Sequence, residues 1–356
     1  MLRKISLLGM AILVSQALFS QDSTAEKPKP VITGSVDAYY RYNFQNAKDD
    51  GDFNNFTSFT NSQNSFELGM ASVKFDHSVG KVGGVLDLGF GRRAQEFTYI
   101  EGDPDEDANG FFSLAAIKQA YVTYAPSDKV KFTLGKFGTH VGYELLDPQL
   151  NRNYSMSYMF SYGPFFHTGL KADFSISDNF SFMLGVANPT DLTTASFEKK
   201  FIIGQLHGAS SSGNLSAYLN FVGGKDNSNV SSSQFDAVVT GKVSDKFSIG
   251  YNGTVKSVKY LGNSDSWWGS ALYLNVDPCD GFGLTLRGEY FDDKKDVAGF
   301  GTSFFATTLS GNVRLGNLTF IPELRLDSAK DPAFTKNDGS STKSAASFIF
   351  AAVYSF

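Results

Sequence analysis

Cysteine is almost missing from this chain: Cys279, in "DPCDG", is the only one in 356 residues. A single thiol cannot close an internal disulfide, which excludes a disulfide-stapled secreted scaffold. Its proline and glycine neighbours mark a turn, and no histidine or basic residue adjoins it to activate the sulfur. Long apolar runs are also missing. Past Phe19 no stretch approaches 18 uninterrupted apolar residues, so helical membrane spans are excluded. Positive charge is in deficit, 31 Lys and Arg against 36 Asp and Glu for a net charge of -5, which is the wrong sign for a nucleic-acid binder. Histidine is scarce, with His77, His140, His167 and His207 the full set. None lies in a nucleophile motif, and neither G-x-S-x-G nor H-E-x-x-H occurs. No enzymatic chemistry, cofactor or metal is therefore expected. His167, in "PFFHTGL", reads as a lumen residue.

The N-terminus carries a different signal. Arg3 and Lys4 precede an apolar run from Ile5 to Phe19, and small Ser20 precedes Gln21. This is the layout of a cleaved secretory signal peptide over 1–20. The run falls short of the roughly 20 residues that an anchor helix needs, and no cysteine follows for lipid attachment. Residues 21–30, containing "DSTAEKPKP", are polar and aperiodic, the composition of a disordered periplasmic lead.

The chain is rich in Phe (34), Tyr (16) and Gly (35), yet its mean hydropathy is slightly negative. Strands that alternate apolar and polar residues reconcile these facts, with one face toward lipid and the other toward water. Val36, Ala38, Tyr40, Tyr42 and Phe44 alternate with Ser35, Asp37, Arg41 and Asn43. Similar runs include Phe166–Ile176, Phe247–Val255, Phe282–Tyr290 and Leu318–Leu326. About sixteen such segments fill 31–356. Their connections sort by parity. Short ones read "HSVGK", "APSDK", "SDN", "SSSGN", "VSDK", "DPCDG" and "LGN". Long ones lie near 45–64, 94–112, 140–163, 188–198, 224–232, 261–265, 293–302 and 329–343. A soluble β-sandwich also alternates, but its loops have no reason to sort this way. The fold class is all-β: a transmembrane antiparallel barrel of about sixteen strands, with short periplasmic turns and long extracellular loops, in the outer membrane of a gram-negative bacterium. Strand one starts about ten residues after the cut, leaving no chain for a plug domain.

Two places resist this register. The second strand changes phase, which a β-bulge near Ala71 would repair. Lys118 and Lys136 fall on the lipid-facing phase of neighbouring strands and are expected opposite one another, where a lysine would cost a few kcal/mol. A bulge near Gly135 that turns them inward, a subunit interface, or a shifted register would each resolve this.

The segments "GSVDAYYRYNF", "KQAYVTY", "LGKFGTHVGYELLDPQLNRNYSMSYMFSYGPFFHTGLK" and "GVANPTDL" resemble the OmpL-like porin family of outer-membrane barrels. The resemblance spans the chain past the signal peptide and is most specific from Lys118 to Asp191. It implies a diffusion porin for small hydrophilic solutes and ions, and it implies no catalytic residues. A closed barrel acting in surface adhesion or structure is the alternative. Porins of this size are often homotrimers. The expected partners are outer-membrane lipid, the barrel-assembly machinery and the solutes, with no nucleic acid.

At sixteen strands a barrel leaves an aqueous lumen. The inward set is then Asp37, Arg41, Asp87, Lys171, Asp173, Lys256, Arg287, Glu289, Arg314, Glu323, Arg325 and Asp327. Such mixed charges read either as a transverse field across a pore or as a polar wall hydrated in pairs. The third long loop, 140–163, is too aromatic for a freely solvated segment. General porins fold the loop of this ordinal position into the barrel as a constriction, with Glu144, Asp147 and Arg152 then facing basic wall residues. Packing over the barrel mouth or against a neighbouring subunit is the other reading. Asp105, Asp107, Asn109 and Gly110 match the first half of a calcium loop, but Ala116 stands where its bidentate Glu belongs, so 103–110 reads as a solvated acidic loop. Tyr354 and the last residue, Phe356, share the outward face of the final strand with Phe348 and Phe350, and outer-membrane barrels in general use such a terminal aromatic pair as an assembly signal.

Overall fold

A computed structural model describes residues 28–47, 53–98 and 112–356. The signal peptide, most of the 21–30 lead and the acidic segment 103–110 lie outside the described residues. Eight strands form the first half: β1 (Val31–Asn43), β2 (Ser65–Val79), β3 (Val82–Phe90), β4 (Ile117–Ser127), β5 (Val130–Gly138), β6 (Phe166–Ser177), β7 (Phe180–Ala187) and β8 (Phe201–Ala209). The second half begins with β9 (Leu215–Lys225), β10 (Ser231–Ser244), β11 (Phe247–Tyr260) and β12 (Asn263–Cys279). It continues through β13 (Phe282–Asp292), β14 (Ser303–Leu315) and β15 (Leu318–Ala329). A small separate hairpin of β16 (Phe334–Thr335) and β17 (Ser341–Thr342) precedes β18 (Ser344–Ser355).

Strands β1–β15 and β18 make one closed barrel in which β18 returns to β1. The closing ladder runs antiparallel from Ser35–Ser355 to Asn43–Ser347. Gly34 and Phe356 extend it by exchanging two backbone hydrogen bonds of 3.0 Å. Closure leaves no unpaired strand edge, the condition for crossing a membrane with strands. Period-two alternation decides which way each side chain points. Leu134, Leu219, Leu324 and Phe350 stand exposed on the outside, whereas Ser35, Asp37, Arg41, Glu323 and Arg325 are buried inside.

One end of the barrel carries seven short turns, and the long connections gather at the other. The link between β11 and β12 differs from its expected 261–265 span. The two strands run on until Tyr260 pairs with Asn263, leaving only Leu261 and Gly262 between them. Both have positive φ, 49° and 90°, the geometry of a tight hairpin turn. The polar "NSDS" segment after it belongs to β12.

The phase change on β2 is a bulge at Gly69, close to the expected Ala71: Asp37 pairs with Met70, but Ala38 pairs with Leu68. The Lys118 problem is resolved by a second bulge. Asp87 pairs with Gln119 while Leu88 pairs with Ile117, so Lys118 is the extra residue and turns off the lipid face. Lys136 is also buried, after a Gly135 whose φ of 136° few side chains tolerate. The two lysines are not opposite, because Lys136 pairs with Ala120.

Candidate functional site

The third long loop, 139–165, does not stand above the barrel. Tyr154, Met156 and Tyr158 are almost wholly buried, and their neighbours bond to inward side chains of β1 and of β10 through β15. A buried segment without regular structure must find partners for its backbone N–H and C=O groups. Here the wall supplies them as charges. Glu323 of β15 accepts from the N–H groups of Tyr154 at 2.7 Å and Ser155 at 3.1 Å. Glu289 of β13 accepts from those of Tyr158 at 3.0 Å and Met159 at 2.9 Å. These two N–H groups open the short helix Tyr158–Ser161, whose cap is Ser157, so the carboxylate sits where exposed helix donors favour negative charge. Guanidinium groups serve the carbonyls. Arg287 donates to Ser155 O at 2.8 Å, Arg325 to Met156 O at 2.6 Å, and Arg93 to Tyr154 O at 3.2 Å.

The loop's own charges complete the seam. Glu144 pairs with Arg287 at 2.5 Å and accepts from Ser157 N–H at 2.7 Å. Asp147 pairs with Lys118 at 2.5 Å, and Asp87 meets the same ammonium at 3.1 Å. Arg152 faces an acid, not a base: it makes a two-pronged bond to Asp277 at 3.0 and 2.9 Å, and Arg314 reaches the same carboxylate at 2.9 Å. Tyr154 donates its hydroxyl to Asp37, and Tyr158 donates to Asp327 at 3.0 Å. Nearer the loop's start, Gly142 N–H donates to Asp236 at 3.0 Å. Asn220 and Asn252 also hold that buried carboxylate, at 2.7 and 2.5 Å. Charge-assisted bonds of this kind are the stronger class.

The expected lumen set therefore divides, and part of it needs correction. Asp37, Arg41, Asp87, Arg287, Glu289, Glu323, Arg325 and Asp327 point inward but are buried. Asp87 is held by Lys118 and Gln119 of β4, and the others are engaged by loop groups. Arg41 is held by the carbonyls of Phe53 at 3.0 Å and Ser62 at 2.6 Å in the first long loop. Lys171, Asp173, Lys256 and Arg314 keep partial exposure. Alternation could assign a face, but it could not show that another segment would fill the interior. It also missed Lys118, Asp236, Asp277 and Arg93, which the loop engages. His140 and His167 pack with ring centroids 5.3 Å apart, His140 reaching Phe221 O at 3.0 Å and His167 Nε2 lying 3.1 Å from the Thr139 hydroxyl. Among the described residues, no group of three or more His, Cys, Asp or Glu side chains could hold a metal ion.

Two spaces flank the loop. One of about 240 Å³ lies between it and the β4–β5 wall, lined by Lys118, Gln119, Thr139, Leu145, Leu146 and Asp147 among others. The other, of about 710 Å³, opens at the long-loop end beside Asn55, Arg92, Glu96, Tyr162, Asp191 and Lys256. Burial pushes the Asp191 carboxyl up to about 6, although the N–H groups of Phe166 and Phe165 hold it down in part.

Residues 31–356 match the family described as "Putative beta-barrel porin-2, OmpL-like". A search of curated proteins found no significant match. Among solved structures, the outer membrane channel DcaP of Acinetobacter baumannii superposes with a TM-score of 0.62 at 14% identity, covering 93% of this chain and 99% of that one. An anion-selective porin from Comamonas acidovorans gives 0.60 at 11% identity, covering 92% and 99%. The trimer form of OmpT from Vibrio cholerae gives 0.58 at 12% identity, covering 93% and 100%. At these identities the superpositions speak for the fold, and the family match extends from β1 to the last residue: the chain belongs to the OmpL-like beta-barrel porin family and is an outer-membrane porin channel.

Proposed function

We propose that small hydrophilic solutes and ions diffuse past the third loop on its β4–β5 side, and that this loop is the constriction. The carrying observation is an asymmetry. Toward β13–β15 and β1 the loop is bonded to the wall by Glu289, Glu323, Arg287, Arg325 and Asp37, whereas toward β4 and β5 the ion pair of Asp147 with Lys118 stands beside a cavity of about 240 Å³. Leu145 lines that cavity and is 46% exposed. Asp147 and Lys118 put opposite charges at its edge, 2.5 Å apart, so a solute would pass a dipole and not a ring of one sign.

A cysteine at Leu145 tests the path. The background carries Cys279→Ser, since Cys279 is exposed. Attaching a bulky charged thiol reagent to Leu145→Cys should cut single-channel conductance by roughly half or more, because a narrow point dominates pore resistance. Unchanged conductance with labelling verified by mass would place the path elsewhere.

On this reading the chain performs no enzymatic chemistry. Residues 1–20 act as the export signal and are removed. OmpT of similar fold is described in a trimer form, and a homotrimer is the corresponding assembly here. Tyr354 and Phe356 serve as the assembly signal, their rings 6.3 Å apart and exposed on the outer wall. Deleting Phe356 should lower the amount of heat-modifiable barrel in the outer membrane while processed protein still reaches the periplasm. Normal barrel levels would remove that role.

A further inference from the structure

At several points on the long-loop rim an exposed outward aromatic lies at or near a strand end: Phe44, Phe66, Phe90 and Phe305. Such a girdle is usual where strands leave the hydrocarbon. One sector departs from it. Lys225 ends β9 and is level with Ser231 of β10, and Ser231 is level with Lys259 of β11. Continuing the β8–β9 ladder two residues past its last pair, Ile202–Gly223, sets Lys200 level with Lys225. All three lysines are exposed. They share the alternation of the outward residues Ile202, Leu219 and Val255. Strands lie about 4.8 Å apart, so three ammonium groups span roughly 15 Å at one height.

Unlike Lys118 and Lys171, which pair with Asp87 and Asp173, these lysines have no ion pair with a carboxylate among the described residues. Lys200 Nζ donates only to the carbonyl of Ala195 at 3.1 Å, and neither Lys225 nor Lys259 joins an ion pair among the described residues. The acids nearby are otherwise placed. Asp226 follows Lys225 on the opposite alternation and accepts from Val230 N–H at 2.9 Å. Asp265 is level with Val258, also on the opposite alternation from Lys259. Glu198 accepts from Asn227 N–H at 3.1 Å. The next level down is small on three neighbouring strands, Gly223–Ser233–Ser257. Phe197, 98% exposed, and Leu261, 82% exposed, flank the row. A basic row directly above a lipid-facing wall, with large apolar side chains beside it, has the composition of a lipid headgroup contact.

We propose that Lys200, Lys225 and Lys259 form a docking site for a phosphate-bearing lipid of the outer leaflet. Its phosphate lies on the lysine row and its acyl chains descend over β8–β11. A soluble acidic protein is the less favoured partner, because the row sits at the lipid boundary of the wall and not on the loop crowns.

The probe is dihexanoyl phosphatidic acid, titrated into detergent-solubilised full-length protein and read by tryptophan fluorescence. Trp268 is outward and paired with Val255 of β11, next to the site. Uncharged dihexanoylglycerol and inorganic phosphate are the comparison arms. The phosphorylated lipid should bind more tightly than the uncharged one, by about fivefold per lysine and on the order of a hundredfold in all at low salt. The triple variant K200Q/K225Q/K259Q should abolish that preference while keeping its folded, heat-modifiable gel mobility. Equal affinity for the two lipids, or an unchanged preference in the variant, would overturn the proposal. Inorganic phosphate binding as tightly as the lipid would make this a free-anion site. A change in oligomeric mass with no change in lipid preference would make it an interface between copies. None of these readouts depends on conduction.

Discussion

Replacing Glu289 and Glu323 together by alanine will raise single-channel conductance at least about twofold and let larger sugars through, because the third loop will leave its place across the barrel and a sixteen-stranded wall by itself encloses an aqueous channel. The two carboxylates accept from four consecutive-pair N–H groups, those of Tyr154, Ser155, Tyr158 and Met159. Removing them strands those donors in a buried setting. It also leaves Arg287 and Arg325 with fewer counter-charges, although Glu144 and Asp327 remain. Each donor left unsatisfied in a buried setting costs about 1–3 kcal/mol, so stranding four of them favours release of the loop. The barrel itself will persist, since its ladders use backbone groups that neither substitution touches. Conductance in planar bilayers and liposome swelling with sugars of graded size are the measurements. Wild-type values in a variant that still migrates as folded barrel would show that the loop does not limit flow.

Gly69→Ala is expected to lower the stability of the wall through a single added methyl group. A Cβ there would lie 1.8 Å from Asp37 Oδ2 and 2.6 Å from the Tyr154 hydroxyl. Asp37 cannot simply swing aside. Its Oδ1 accepts from Met70 N–H at 3.0 Å, in the bulge that Gly69 makes possible, and its Oδ2 accepts from Tyr154. Moving it leaves a buried carboxylate short of donors, at ~2–4 kcal/mol with the overpacking included. Gly288→Ala is the control, a wall glycine with nothing within 4 Å of its added Cβ. Unfolding midpoints in denaturant should fall for the first variant and hold for the second. Equal midpoints would mean that the bulge relaxes without loss.

The wall was legible in the sequence because its physics is local. A strand between lipid and a polar interior must alternate, and turn length alternates with chain direction, so both patterns survive in one dimension. The interior was less legible for the same reason. Glu323-x-Arg325-x-Asp327 shows only that three charged groups share a face. That the first accepts from loop N–H groups and the second donates to Met156 O depends on a segment 169 residues away. The resemblance drew attention to that segment, but not to partners such as Asp277, which lies near the end of β12. Lys118 looked misplaced because a bulge is a one-residue insertion that alternation cannot register until the neighbouring strand fixes the pairing.

The loop's anchors also impose an order of events. Residues 154–159 bind side chains that lie between 130 and 169 positions later in the chain. Contacts of such long separation repay the entropy of closing the intervening segment only after their partners are fixed. The third loop can therefore seat only once β13 and β15 have taken their places, near the end of assembly. On the proposed reading, the wall and its filter are then completed together, as the last strands close the ring.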